Sequence, residues 1–295
     1  MRVLMITGDR RFVPGNERYE LQRAAVEDLR VVYWGRGNYW PSIPKGFDVV
    51  TVQDPFWRGL FGWISARRIG ARFNVQVHTD LSAHSFIRHI LAQIVLRHAD
   101  SVRVVSEKIR KQVENIGVRG KISVLPVYID VSRFSNVVAQ PHSPKMILWT
   151  GRFEEEKNPL GAIEVFRKIH AQQSQIKFVM LGTGNLEAKV KQEAVGLPIE
   201  FPGWQDPAPF LSVADAALCT SWHESFGASI IESLAAGVPV VAPDIGVARE
   251  AGATVTSRGS LADAALEILQ KGTRGHLKLQ MPASDAWTKQ WLETL

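Results

Sequence analysis

The feature that most constrains this chain is a repeated alternation. Short runs rich in Val and Ile, apolar on both faces, are separated from end to end by stretches of helical period. A strand buried on both faces needs helices above and below it. Such runs therefore suit parallel strands in a doubly wound α/β sheet. In the first half they lie at 2–6, 30–34, 47–52, 73–78, 101–105 and 122–125, with helices expected at 17–29, 57–69, 82–98 and 107–115. Residues 136–144, NVVAQPHSP, are polar, hold two prolines and lack periodicity, as an interdomain linker does. The alternation resumes at 146–150, 176–181, 199–201, 216–219 and 238–242. We therefore expect two Rossmann-like domains, 1–137 and 138–283, and a terminal helix over 284–295. Trp287 and Trp291, four apart on that helix, form a stripe that needs a surface to pack on.

Charge is unevenly shared. Residues 1–137 hold 21 Lys+Arg against 12 Asp+Glu, a net of +9, whereas residues 138–295 hold 14 against 17, a net of −3. A basic half suits an anionic partner such as phosphate, acidic lipid or nucleic acid, the bland alternative being a surface biased for solubility. Cys219 is the single cysteine, so no internal disulfide is possible, and its run AALC reads as a small buried hydrophobe. No apolar stretch approaches the ~20 residues of a membrane-spanning helix, and none resembles a secretory signal. The expected location is cytoplasmic, with peripheral attachment to the inner face of a membrane.

In open α/β sheets ligands bind at the carboxyl ends of strands. Two motifs stand there. After the run MILWT comes Gly151-Arg152-Phe153-Glu154-Glu155-Glu156-Lys157-Asn158, with a helix expected from Asn158–Pro159. Two cations beside a helix N-terminus make a site for a diphosphate. The bland alternative is that they neutralise Glu154–Glu156. After AALC comes Glu224-Ser225-Phe226-Gly227-Ala228, then Glu232 among Ile230, Ile231 and Leu234. A glutamate in that company needs a partner, and ribose hydroxyls would supply one. Gly227 permits close approach of phosphate to the N-H groups of the next helix. The bland alternative makes Glu224 a helix-end acid and Glu232 a surface residue.

Together these motifs resemble family 4 of the retaining glycosyltransferases, the group 1 glycosyl transferases of GT-B fold. The resemblance rests on two glutamates separated by seven residues, Glu224 and Glu232, and on Gly151-Arg152 followed five residues later by Lys157. It extends over 237–242, Asp244 and Gly246, and over 122–126 with Asp130 and Phe134. It implies two Rossmann-like domains facing a cleft, with the terminal helix crossing back to the first. Arg152 and Lys157 would hold the donor diphosphate and stabilise it as leaving group. Glu232 would hold the ribose, and Glu224 the transferred sugar, with Ser225 and the backbone of Phe226, Gly227 and Ala228. Gly151, Gly182, Gly184 and Trp204 would line the nucleotide. Gly15 and Asn16 match the glycine-rich loop after the first strand, with asparagine in place of the second glycine. His78, ending the strand FNVQV, matches the family's histidine at the cleft; unaided, a strand-end histidine reads as structural.

The implied reaction is retaining transfer of a sugar from a UDP- or GDP-type nucleotide-diphosphate sugar, with no cofactor and no metal. The implied acceptor is a glycan or lipid-linked molecule of envelope polysaccharide synthesis, and an anionic membrane surface is an expected partner, nucleic acid not. His84, His89 and His98 are five and nine apart, so no pair is three or four apart on one helical face, as a metal pair would be. A Rossmann oxidoreductase is disfavoured: Gly182-x-Gly184 follows a strand, but Glu187 stands at the third glycine position. A GT-B epimerase or hydrolase, and a basic non-enzymatic module for anionic surfaces, are the other readings. On the helix over 57–69, Trp57, Leu60, Phe61 and Ile64 form a stripe expected to pack on the sheet, with Trp63 and Arg67 away from its centre. The segment after Asp244 is condensed, which suggests a reduced outer edge of the second sheet.

Overall fold

The computed structural model describes residues 1–35 and 37–295, which form two compact units. The first comprises Met1–Tyr128 with Pro282–Leu295, the second Ile129–Met281.

The first unit runs β1 (Arg2–Thr7), α1 (Glu17–Ala24), β2 (Asp28–Tyr33), β3 (Val49–Val52), α2 (Trp57–Ile69), β4 (Arg72–Val77), α3 (Phe86–Arg97), β5 (Ser101–Val104), α4 (Glu107–Glu114) and β6 (Lys121–Val124). All strands are parallel, in the order β2-β1-β3-β4-β5-β6. The order reverses between β1 and β3, so the loops after these two strands flank a switch point. Asn16 caps α1 by accepting from the Tyr19 amide at 3.2 Å, while Glu20 reaches back to the Gly15 amide at 2.7 Å. These reciprocal bonds fix the start of α1.

Two helices are shorter than their periodicity predicts. α1 stops at Ala24, not Leu29, because Asp28 and Leu29 pair with Arg2 and Val3 as the start of β2. The helix expected from Ser82 starts at Phe86, because Asp80 holds Leu81–Ala83 in a separate 3-10 turn. α2 has its expected bounds but turns its other face inward. Its buried residues are Gly59, Gly62, Ser65 and Ala66, while Trp57 and Ile64 are exposed. A Cβ on Gly59 would lie 2.7 Å from Val95, and one on Gly62 would overlap Val52. Small residues let the helix backbone lie close to the sheet, so Trp57 and Ile64 face away while Leu60 and Phe61 stay half-buried.

The second unit runs α5 (Ser132–Ser135), β7 (Met146–Thr150), α6 (Pro159–Gln172), β8 (Lys177–Leu181), α7 (Glu187–Glu193), β9 (Ile199–Gly203), α8 (Ala208–Leu211), β10 (Ala216–Leu218), α9 (Ala228–Ala235), β11 (Val240–Ala242), α10 (Ala248–Ala251), β12 (Thr254–Val255) and α11 (Leu261–Lys271). Its parallel sheet has the order β12-β11-β10-β7-β8-β9, with the switch point between β7 and β10. β12 was not legible in the sequence: two residues carry no periodicity. α6 starts as expected, with Pro159 in its first turn and the Asn158 side chain accepting from the Gly161 amide at 3.1 Å.

The chain ends in α12 (Ser284–Glu293), which lies on the first unit. Its tryptophan stripe finds the surface it needs: Trp287 and Trp291 are fully buried beside Val3, Met5, Phe12 and Leu125. Trp287 donates to the Pro126 carbonyl at 2.9 Å. Buried Arg103 on β5 lies over the Trp287 ring and donates to the Leu125 and Pro126 carbonyls and to Gln76.

Candidate functional site

Both motifs of the second unit stand at the carboxyl ends of the strands flanking its switch point, β7 and β10. Lys157 and Glu224, 67 residues apart in sequence, meet there: Lys157 Nζ donates to Glu224 Oε1 at 2.6 Å. Ser221 Oγ donates to the same oxygen at 2.8 Å. Glu224 is only 9% exposed, so its charge relies on these two donors. Arg152 instead pairs with Glu156 on its own loop, as the charge-neutralising alternative anticipates for that residue, and remains half exposed.

Several contacts fix this arrangement. Asn158 takes a left-handed conformation, φ 49°, and its side-chain amide donates to the Thr220 carbonyl at 3.3 Å. Thr220 Oγ1 donates to the carbonyls of Lys157 and Asn158 at 3.2 and 2.9 Å and accepts from Trp149 Nε1 at 3.0 Å. The two loops are thus tied together beneath the ion pair. Arg258, which the sequence reading missed, closes the other side. It donates to the Thr220, Ser221 and Trp222 carbonyls at 2.8, 2.6 and 3.2 Å and lies 4.3 Å from the Trp222 ring. No local pattern marks Arg258; it is brought in from beyond β12.

Gly227, φ 101°, ends the Glu224 loop and leads into α9, whose start has no side-chain cap. Gly246 backs the loop so closely that a Cβ there would overlap the Phe226 carbonyl oxygen and lie 2.9 Å from the Glu224 Cβ. Phe226 is buried, and its carbonyl accepts from the Val247 amide at 2.9 Å. On the other side, Gly182 has φ 144° and would overlap the Gly151 carbonyl oxygen if it carried a Cβ, while a Cβ on Gly184 would lie 2.6 Å from the Phe153 oxygen. These glycines pack the loop after β8 against the loop after β7. Trp204, just past β9, is largely exposed.

Glu232 stands one turn into α9. Burial raises its carboxyl to about 7, with nearby Arg133 drawing it down and Asp206 pushing it up. Arg133 on α5 and Asp206 form an ion pair of their own. Neither was singled out from the sequence, although Arg133 lies between the matched Asp130 and Phe134. Cys219 is buried, which pushes its thiol up to about 11, so it behaves as the hydrophobe its run suggests.

In the first unit, Gly15 and Asn16 form the start of α1, and His78 directly follows β4. Burial, with Arg103 and Arg18 nearby, holds the His78 imidazole well below its ordinary range, so the ring is neutral. Its Nε2 is buried with no hydrogen-bond partner in the protein. The next residues are fixed by Asp80, which accepts from the Ser82 amide and hydroxyl and from Gln112, and pairs with Lys108 at 3.0 Å. Burial alone would raise the Asp80 carboxyl, but these bonds hold it at about 2.

Residues 144–271 match the family model described as glycosyl transferases group 1, and residues 11–127 match that of the glycosyl transferase 4-like domain. The chain belongs to the group 1, family 4 type glycosyl transferases. Among curated relatives of this family, a GDP-mannose-dependent alpha-(1-6)-phosphatidylinositol dimannoside mannosyltransferase of Mycobacterium tuberculosis is 29% identical over 182 residues, 58% of this chain and 47% of that protein. An alpha-monoglucosyldiacylglycerol synthase of Streptococcus pneumoniae is 25% identical over 251 residues, 74% of this chain and 57% of that protein. The chain thus matches about half the length of these relatives. Among solved structures, Anabaena Alr3699/HepE in complex with UDP and glucose superposes with a TM-score of 0.75 at 15% identity, over 100% of this chain and 99% of that one. The fold is the GT-B type, with two Rossmann-like parallel sheets.

Proposed function

We propose that the chain transfers a sugar, with retention of configuration and without a metal, from a UDP- or GDP-type nucleotide-diphosphate sugar. The observation that carries this is the meeting of Lys157 and Glu224 at the β7/β10 switch point, beside an α9 start that no side chain caps. A diphosphate there is met by Lys157, by Arg152 and by backbone N-H groups of Phe226, Gly227 and Ala228, which together replace a cation. Glu232 accepts from the ribose hydroxyls. Glu224, with Ser225 beside it, receives the hydroxyls of the transferred sugar. Gly151, Gly182, Gly184 and Trp204 border the nucleotide. Gly15 and Asn16 serve the phosphates, and His78 serves the reacting sugar as a neutral hydrogen-bonding group.

In this reading the acceptor hydroxyl attacks the anomeric carbon on the face from which the diphosphate leaves. The carbon–oxygen bond to phosphate breaks, and the departing phosphate takes the hydroxyl proton. Lys157 and Arg152 stabilise the charge that grows on the leaving oxygen, so they act most strongly in the transition state. The lipid-linked acceptor is supported by the +9 charge of residues 1–137 and by the lipid-named relatives from M. tuberculosis and S. pneumoniae. No described helix is long and apolar enough to cross a membrane.

A thermal-shift screen with UDP, GDP, ADP and their sugar conjugates tests the donor class. A ligand present at 100 times its Kd should stabilise by about 2.7 kcal/mol. Stabilisation by none of them refutes the donor site. Release of free sugar and nucleotide at the same rate with and without acceptor would favour the hydrolase reading.

A further inference from the structure

α3 is apolar on two opposite sides. Leu91, Ala92, Val95 and Leu96 face the core. Phe86, Ile87, Ile90 and Ile94 face outward and are 78, 64, 41 and 40% exposed. At the helical spacing these four fall within one sector about 100° wide, roughly opposite the buried side. A soluble helix ordinarily turns polar residues to that side. α2, packed against α3, adds exposed Trp57 and Ile64. Neither helix contains an Asp or a Glu, whereas exposed Arg67, Arg68 and Arg97 border the apolar residues. The backbone contact of Arg97, to the Ile116 carbonyl, brings no compensating acid.

We propose that the outward face of α3 is the edge by which the first unit inserts into an anionic lipid surface, with Phe86, Ile87, Ile90 and Ile94 below the headgroups and Arg67, Arg68 and Arg97 among the lipid phosphates. The charge pattern selects this occupant. A second copy of the chain docked through the same face would set arginines against arginines with no acid on either helix. An anionic bilayer offers apolar depth and negative charge together, which is what the face displays. The surface also has a consequence for substrate. α3 begins eight residues after His78, and Asp80 pins the intervening loop to Gln112 and Lys108 of α4. Docking through α3 therefore brings the carboxyl end of β4 to the headgroup layer, where a lipid-linked acceptor presents its hydroxyls. That consequence rests on the function proposed above; the docking itself does not.

The test is flotation of the full chain with vesicles of phosphatidylcholine containing rising fractions of phosphatidylglycerol, at low and at physiological salt. Binding should rise at least tenfold from neutral to strongly anionic vesicles and fall with salt. The triple variant F86S/I87S/I90S keeps every charge and alters only exposed side chains, so its circular dichroism and melting should match the parent. Its vesicle binding should drop at least tenfold. Equal binding of parent and variant, no binding of the parent to anionic vesicles at low salt, or equal binding to neutral ones overturns the proposal. So does a dimer in sedimentation velocity that the triple variant dissociates, which would make a second copy the occupant. Nucleotide-diphosphate binding, measured on the same samples, separates the two readings. Vesicle binding without nucleotide binding would sink the donor site and leave the docking surface standing.

Discussion

Replacing Glu232 by Gln should stabilise the protein at pH 8 and remove a pH dependence that the parent shows between about pH 4.5 and 7. The folded carboxyl holds its proton up to about 7, against an ordinary value of 4.5, because burial outweighs the draw of Arg133 and acts with the opposing charge of Asp206. Between those two values the folded chain binds more protons than the unfolded chain, so stability falls as pH rises. Above pH 7 the full cost of the buried charge is present, about 3 kcal/mol at ~1.4 kcal/mol per pKa unit. Urea unfolding across pH 4–8 should show this decline as the difference between the parent and the Gln variant, because neutral buried His78 adds an opposing rise to both. In the proposed role of Glu232, donating ribose hydroxyls would favour the ionised form. Nucleotide binding near pH 6.5 should then release protons, readable by titration calorimetry in buffers of different ionisation enthalpy. The Gln variant should bind roughly ten- to a hundredfold more weakly and release none. An identical pH slope in both proteins, or nucleotide binding with no proton release in the parent, would refute the argument.

Lys157→Met leaves Glu224 with Ser221 as its remaining donor; we expect a loss of about 2 kcal/mol in urea unfolding. Turnover should fall by roughly a hundredfold, more than donor affinity does, and a change confined to KM would contradict the leaving-group role. Arg258→Ala frees three carbonyls of the loop before Glu224, so melting temperature and kcat should both fall; lysine, which lacks the forked donors, should restore neither fully. Gly182→Ala forces a Cβ into the Gly151 oxygen at φ 144°, and should cost about 2–4 kcal/mol and weaken nucleotide binding, as stability and calorimetry on one preparation would show.

The alternation of Val- and Ile-rich runs with helical stretches was enough to expect two doubly wound parallel sheets, because that pattern is local and repeats. The same local grammar placed Arg152, Lys157 and Glu224 at the ends of β7 and β10, since a strand, a tight glycine turn and a helix start are each legible within a few residues. It could not pair them. Lys157 and Glu224 are 67 residues apart, and only the neighbouring of β7 and β10 in the folded sheet brings their charges to 2.6 Å. Arg258 was invisible for the same reason: its three carbonyl partners lie 36 to 38 residues away in a loop with no pattern of its own. The proton on Glu232 is likewise tertiary, because burial, Arg133 and Asp206 come from three different parts of the chain.

On α2 and α3 periodicity identified apolar faces but not which of them turns inward. On α2 the aromatic stripe was expected on the sheet, yet Gly59 and Gly62 took that place, since close backbone approach to Val52 and Val95 leaves no room for larger side chains. On α3 both sides are apolar, and only the packed sheet decides that Leu91 and Val95 are core while Phe86 and Ile90 face out. Hydrophobic pattern is a property of the segment; the choice of face belongs to whatever packs against it.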